Sequence, residues 1–366
     1  MDIKFFQDIP QESLNFIDNL QASDLNFNPT LKDSTNIGKK INMGYMCYVL
    51  KIYKMTKIWD SFDKTMQDKW ISKLNTYQST KNPKYKNYFV DPEISKYLNS
   101  IFTVFNGKSL IKSSANTFLN KNYESKDNFI FKTLNADNKQ TISTFGEIGH
   151  TIKTSPLISF NNYKNLNSYL NSYDWSKPWD AGAQFSSLAL YNKIFELSLK
   201  DELLSFIEKK LDRETGSYFD VKPTSNRQII NGAMKVITGL DWIEKDIHLP
   251  KNLIDFCLNN KPKFEGCDLV DYIYVLFRCS SQTDYKKNQV VAIFEELLEY
   301  LKILYHQKDK GFSYFVNKSQ THYYGVKISK GSNTPDLHGT ILSIWAIVMI
   351  LETLEKNIHG YKLIKP

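Results

Sequence analysis

Apolar segments that each open with polar residues recur along this chain, and they constrain its fold more than any other feature. Six of them begin near residues 43, 139, 179, 228, 268 and 336. A helix that is apolar on every side must be buried, and recurrence at tens of residues is typical of repeated helical hairpins. Amphipathic segments, such as 200–210 and 288–305, lie between the apolar ones. No run of alternating residues predicts a sheet.

This alternation predicts an all-α fold of the (α/α)6 toroid type, in which buried inner helices are surrounded by amphipathic outer helices. We expect one such domain over residues 1–366. Successive inner helices of a toroid run parallel, so their N-terminal ends open on one face. The polar residues at these openings would then surround one mouth, and they are Asp180, Gln184, Asn231, Asp268, Asp271, Asp336 and His338.

The last apolar segment, from Asp336 to about Leu354, carries the most informative opening. Asp336 is suited to cap the helix, because its carboxylate can accept hydrogen bonds from free backbone amides of the first turn. His338 falls in that turn, where a polar ring without a role is costly. The preceding loop concentrates hydrogen-bonding groups next to the expected mouth, namely Gln320, His322, Tyr323 and Tyr324. Functional residues favour such loops on rigid scaffolds.

The net charge of +8 does not indicate a nucleic-acid partner, because the lysines are spread along the chain and mixed with acids. Lysine and asparagine are abundant throughout, so no single one is taken as a functional signal. The four cysteines form no CxxC pair, which favours free thiols in a reducing compartment. The most apolar window, 341–351, is too short to span a bilayer. We expect a soluble cytoplasmic protein that acts on a small-molecule lipid or sugar.

Two turn-then-helix units carry a resemblance to a known class of proteins. DRETGSYFD precedes INGAMKVITGL, and QKDKGFSYF precedes DLHGTILSIWAI. These units resemble the repeats of the terpenoid cyclase and protein prenyltransferase superfamily, in which an acidic glycine-aromatic turn precedes an inner helix. The similarity is clearest in residues 175–354 and weakest in residues 1–137. The resemblance implies an α/α toroid and chemistry on a prenyl or terpenoid-type substrate in a central cavity.

The resemblance extends to two metal-bearing helix openings, but not to their complete ligand set. EGCDLVDYIYVLF and PDLHGTILSIW resemble the zinc-bearing openings of prenyltransferase β subunits, with Asp271 at the zinc aspartate and His338 near the zinc histidine. The cysteine that the site requires is replaced by Ile273, which argues against a thiolate-dependent zinc site. The acidic motifs DxDD and DDxxD of the cyclases are absent. We therefore predict no metal or other cofactor, and magnesium is left open.

Three functions are compatible with these residues. In the leading hypothesis Asp271 or Asp336 donates a proton to a prenyl or terpenoid-type substrate, assisted by His338 and Tyr324. The first alternative is a carbohydrate-active lyase, epimerase or hydrolase, and the second is a non-catalytic binding scaffold. Each acid also has a structural interpretation, since Asp336 is suited to capping and Asp268 to a solvated position. The candidate catalytic residues are Asp271, Asp336, His338, His322 and Tyr324, and the candidate substrate contacts are Asp180, Gln184, Arg227, Asn231, Asp268, Gln320, Tyr323 and Trp179.

Overall fold

A computed structural model describes residues 3–80, 85–104, 126–156 and 165–366 of the chain. This part is predominantly helical, with fourteen helices and three two-stranded antiparallel ladders. The predicted all-α class is confirmed. None of the helices in these ranges is long and apolar enough to cross a membrane.

Six long helices contribute most of the core. They are α2 (Met43–Met55), α6 (Lys126–Glu147), α8 (Pro178–Phe195), α10 (Asn226–Trp242), α12 (Gly266–Ser280) and α14 (Leu337–Thr353). Each packs against two others of the set. The order of contact is α2, α6, α8, α10, α12, α14 and back to α2. Because every one of these helices has neighbours on several sides, each needs apolar residues around most of its circumference.

The remaining helices are shorter or more amphipathic and pack against this set. They are α1 (Ile3–Leu20), α3 (Ile58–Ser61), α4 (Lys64–Asn75), α5 (Pro92–Val104), α7 (Leu166–Asn171), α9 (Lys200–Glu208), α11 (Pro250–Asn259) and α13 (Lys287–Leu304). For example, α11 packs on α12, and both α1 and α13 pack on α14. On α13 the apolar residues Val290, Phe294, Leu297 and Leu301 are buried, at the spacing of one helix face.

The strands are two or three residues long and connect helices. They pair as β1 (Gln21–Ser23) with β2 (Asn26–Phe27), β3 (Tyr305–His306) with β4 (Gly311–Phe312), and β5 (His322–Tyr323) with β6 (Val326–Lys327). The ladder of β3 and β4 contains the glycine-aromatic turn seen in the sequence, with Tyr305 opposite Phe312. The first ladder connects α1 to α2, and the other two lie in the connection that leads to α14.

Hydrogen bonds link the N-terminal ends of neighbouring core helices. The backbone N–H of Trp179 in α8 donates to Gln228 Oε1 in α10 at 3.3 Å. Asn231 of α10 donates to Asp268 of α12 through its amide nitrogen at 2.7 Å. Tyr314 connects the next pair, because its carbonyl accepts from Gly266 N–H and its own N–H donates to Asp336. The openings of α8, α10, α12 and α14 therefore lie side by side.

The segment 361–366 crosses the opposite ends of three core helices. The N–H of Lys362 donates to the carbonyl of Met55, the last residue of α2. The N–H of Lys365 donates to the carboxylate of Glu147, the last residue of α6, at 3.1 Å. Trp242, at the end of α10, donates from Nε1 to the carbonyl of Pro366. This segment therefore covers the C-terminal ends of α2, α6 and α10.

One helix boundary differs markedly from the sequence prediction. The second apolar segment was expected to begin near residue 139, whereas α6 begins at Lys126. The additional turns bury polar residues, including Asn135, Asp137 and Asn138. A search for apolar residues in the sequence therefore does not detect these turns. The sequence of residues 106–137 is polar and does not indicate where this stretch lies; its residues 106–125 fall outside the described ranges.

Candidate active site

A cavity of about 400 Å³ lies among the six core helices. Every one of them contributes to its lining, with Tyr48, Asn135, Gln184, Lys235, Asp271 and His338 among the contributors, in chain order from α2 to α14. The loop before α14 adds Gln320, Tyr323 and Tyr324, while Ile364 and Pro366 reach it from the C-terminal segment. The lining therefore combines apolar, hydrogen-bonding and charged groups, as small-molecule sites do.

Aromatic rings form much of the wall around His338. The imidazole stacks on Tyr48, with centroids 4.8 Å apart and an interplanar angle of 8°. The ring of Tyr314 lies 5.1 Å from it on another side. Gly266 allows this approach of Tyr314, since its φ is +52° and a Cβ there would lie 2.2 Å from the Tyr314 ring. Trp179 and Trp345 add two further aromatic rings to the lining.

Asp271 is the acid of the cavity. It lies one turn into α12, is 3 % exposed, and its Oδ2 has no hydrogen-bond partner among the described residues. Burial raises the pKa of this carboxyl to about 6, the positive charge of Lys235 opposes that rise, and the negative charge of Asp268 adds to it. A carboxyl group in this state exchanges a proton near neutral pH.

His338 lines the same cavity as a neutral imidazole. Burial lowers its pKa to about 3, and the charge of Lys235 lowers it further. Its Nδ1 is buried and has no hydrogen-bond partner in the described ranges. One ring nitrogen is therefore available to a bound molecule.

The two tyrosines of the preceding loop lie on the cavity wall. The hydroxyl of Tyr323 donates to Asp137 Oδ1 at 2.7 Å. Asp137 is fully buried, and burial raises its pKa to about 7, with the charge of Asp91 raising it further. Tyr324 has a φ of +43°, in the left-handed region that side chains rarely adopt, and it reaches the cavity from there. Such backbone strain is common at functional sites.

Asp336 is buried as well, but its oxygens are occupied by backbone groups. It caps α14 by accepting from Gly339 N–H at 2.7 Å, as predicted. Its other oxygen accepts from the N–H groups of Tyr314 and Gln320, at 2.8 and 3.0 Å. Burial raises the pKa of this carboxyl to about 7, while these amides lower it. Asp336 does not line the cavity, and it holds the turn and the loop against the start of α14.

Asp268, Arg227 and Asn231 form a separate cluster at the openings of α10 and α12. The Arg227 guanidinium pairs with Asp268 at 2.7 Å and lies 4.7 Å from the ring centroid of Trp179. Asn231 donates to the same carboxylate. We call these three residues the rim cluster. They are next to Trp179 but are not part of the cavity lining.

The structure thus brings together only part of the predicted site. Trp179, Gln184, Asp271, Gln320, Tyr323, Tyr324 and His338 line one cavity. Asp180 is exposed and pairs with Lys132 at 3.3 Å. His322 is also exposed, with its Nδ1 at 2.9 Å from the Thr321 hydroxyl. The rim cluster, Asp336, Asp180 and His322 therefore lie outside the lining.

The sequence reasoning missed the basic residues of this cavity. Lys51 of α2, Lys139 of α6 and Lys235 of α10 all line it. They were set aside because lysine is common throughout the chain. Their position distinguishes them from the other lysines, because each lies inside a helix whose other residues are mostly buried.

The described residues contain no group of three or more histidine, cysteine or acidic side chains arranged to hold a metal ion. Ile273, at the position of the missing thiolate, is fully buried in α12.

No family model matches this chain, and searches of curated proteins and of solved structures also found no match.

Proposed function

We propose that the chain is an (α/α)6 toroid enzyme that performs acid–base chemistry in its central cavity. The cyclic packing of the six core helices supports the toroid, because each helix contacts the next and α14 contacts α2. The observation that carries the catalytic role is Asp271, a buried carboxyl that lines the cavity and has one oxygen without a hydrogen-bond partner among the described residues.

Asp271 is the group of the cavity best suited to moving protons. Its raised pKa, about 6, leaves both the protonated and the ionised carboxyl populated near neutrality, so it can donate or accept a proton. The imidazole of His338 has a pKa lowered to about 3, so it stays neutral and is suited to a hydrogen bond with the substrate rather than to taking up a proton. Tyr324 adds a phenol to the same lining.

The polarity of the cavity favours a sugar-type substrate. Asn135, Gln184 and Ser187 line one side, joined by hydrogen bonds from the Asn135 amide at 2.9 and 3.4 Å. Asp271 is the sole carboxylate among the described lining residues, whereas most glycoside hydrolases need two. Lyase or epimerase chemistry, which begins with abstraction of a carbon-bound proton, therefore fits better than hydrolysis.

A prenyl or terpenoid-type substrate is the second candidate. The aromatic rings of Tyr48, Trp179 and Trp345 favour it, because aromatic faces stabilise positive charge that develops on a hydrocarbon. The lysines of the lining disfavour it, since they would repel such a cation.

Hydrogen exchange in heavy water tests the two candidates. Uronate-containing oligosaccharides are incubated with the protein, and deuterium uptake or an unsaturated product is measured by mass spectrometry. We expect uptake with the unaltered protein and its loss in Asp271→Asn, while Lys302→Gln, at a half-buried position of α13 outside the cavity lining, retains it. Turnover of a prenyl diphosphate without any reaction of the sugars would favour the second candidate and contradict the first.

A further inference from the structure

Three lysines face the cavity without a carboxylate ion-pair partner. Lys51, Lys139 and Lys235 come from three different core helices and line the same space. Within the described ranges, each ion pair of the chain involves other residues. The lining therefore carries three basic side chains against one acid, Asp271.

Lys51 is the most buried of the three. It is 3 % exposed, and its Nζ donates one hydrogen bond, to the Ser143 hydroxyl at 2.9 Å. An ammonium group has three donors, so two are left without a partner among the described residues. Burial lowers the pKa of Lys51 to about 8. The charge of Glu147 raises this pKa, but no carboxylate of the described residues forms an ion pair with Lys51. A buried cation without a contacting counter-charge is costly, so a bound anion would stabilise it.

Lys139 lies close enough to the other two lysines for their charges to act on it. Burial lowers the pKa of Lys139 well below its ordinary value, and the charges of Lys235 and Lys51 lower it further. Lys235 in turn lowers the pKa values of Asp271 and His338. Like charges that repel across an open cavity form a site in which a bound anion relieves the repulsion.

We propose that Lys51, Lys139 and Lys235 form a subsite for an anionic group, a carboxylate or a sulfate, carried by a sugar-type substrate. The sugar part of this inference rests on the proposed function, whereas the anion part rests on the lysines alone. A neutral sugar would leave the three charges uncompensated, and a cation would be repelled. An acidic sugar supplies the missing charge and places its ring beside Asp271 and His338.

Thermal melts in sodium sulfate give the first test, with sodium chloride at matched ionic strength as the reference. A ligand that binds only the folded state raises the Tm. We expect sulfate to raise the Tm of the unaltered protein and of Lys302→Gln by more than that of Lys139→Gln/Lys235→Gln, in which only the general kosmotropic stabilisation by sulfate is left. An equal rise in the double variant, or no rise in the unaltered protein, would overturn the subsite.

Calorimetric titration with three monosaccharides tests the recognised group. Glucuronate carries a carboxylate, glucose 6-sulfate carries a sulfate, and glucose carries neither. We expect one of the acidic sugars to bind, and each of Lys139→Gln and Lys235→Gln to weaken it about tenfold, the effect of losing one charge-assisted hydrogen bond. Lys51→Met should weaken binding of the acidic sugar by a similar factor, and methionine leaves no buried polar atom in place of the amine. Glucose binding as tightly as both acids would contradict the inference.

The two proposals fail in different ways. If the acidic sugars bind through the lysines but undergo no proton exchange or elimination, the catalytic proposal is wrong and the subsite stands. If Asp271→Asn abolishes exchange while the lysine variants bind the acids unchanged, the subsite is wrong and the catalytic proposal stands.

Discussion

Asp336 caps the opening of α14, whereas Asp271 lies more than one turn into α12, and the surroundings of the two carboxyls differ as well. Both carboxyls are buried, and burial raises the pKa of Asp336 to about 7 and that of Asp271 to about 6. Asp336 accepts hydrogen bonds from three backbone N–H groups, of Gly339, Tyr314 and Gln320. Asp271 faces a cavity with one oxygen unpartnered.

The contrast shows that a raised pKa alone does not mark a functional acid. Burial produces the rise in both residues, whatever the role. What separates them is the occupation of the oxygens, because a carboxylate already filled by backbone donors has little capacity left for a substrate. We therefore expect substitution of Asp336 to lower stability and substitution of Asp271 to lower activity.

Asp336→Ala gives the largest expected change in stability. It removes the cap of α14, worth about 1 kcal/mol, and leaves the N–H groups of Tyr314 and Gln320 without their partner, at about 1–3 kcal/mol each. We expect a total loss of about 3–5 kcal/mol in urea unfolding. Asp336→Asn, which keeps one accepting oxygen, should lose less. A loss below about 1 kcal/mol in the alanine variant would mean that this carboxylate does not hold the loop.

Asp271→Asn should give the opposite profile. The amide keeps the size of the side chain and removes a charge that burial disfavours, so stability near neutral pH should not fall and should rise by about 1–3 kcal/mol. Loss of a general acid should lower kcat by about 10²–10⁴-fold. Asp268→Asn, one turn earlier on α12, serves as the matched acid in the rim cluster. If Asp271→Asn and Asp268→Asn lowered kcat equally, the cavity acid would not differ in function from the acid of the rim cluster.

Much of this fold could be predicted from the sequence, because apolar residues mark buried helices directly. The start of α2 at Met43 and the Asp336 cap agree with the sequence prediction. The start of α6 could not be predicted, since its first turns bury Asn135, Asp137 and Asn138 as hydrogen-bonded polar residues. Polar residues satisfied inside a core resemble exposed ones in a sequence.

The cavity was predictable only in part, for a related reason. Asp271 and His338 were found because acids and histidines are rare in apolar helices. Lys51, Lys139 and Lys235 were not recognised because lysine is common throughout the chain, although each lies within a helix that is largely buried. Whether an acid such as Asp268 faces substrate or pairs with Arg227 depends on contacts between helices, which no spacing within one helix reveals.

The titration of Asp271 can be isolated by measuring stability against pH for both the unaltered protein and Asp271→Asn. The two proteins share every other titrating group, so the difference between their curves reports Asp271. The folded pKa of Asp271, about 6, is raised above the ordinary value of 3.8. The stability that its protonated form contributes is fully present below about pH 3.8 and is lost as pH rises through about 6. Asparagine has no proton to lose. The variant should therefore gain about 1–3 kcal/mol over the unaltered protein between pH 4 and pH 7. Parallel stability curves would contradict the assigned pKa.

Arg227→Gln has the smallest expected effect on stability and sharpens the comparison at the rim. The Arg227 side chain is 53 % exposed, so its pair with Asp268 should contribute less than about 1 kcal/mol. Its positive charge nevertheless lowers the pKa of Asp271. Removing it should move the Asp271-dependent transition to higher pH, and added salt should reduce the difference. Lys222→Gln, which removes an exposed lysine paired with Glu214, should leave that transition unchanged. If Arg227→Gln lost more than about 2 kcal/mol of stability, the rim cluster would have a structural role like that of Asp336.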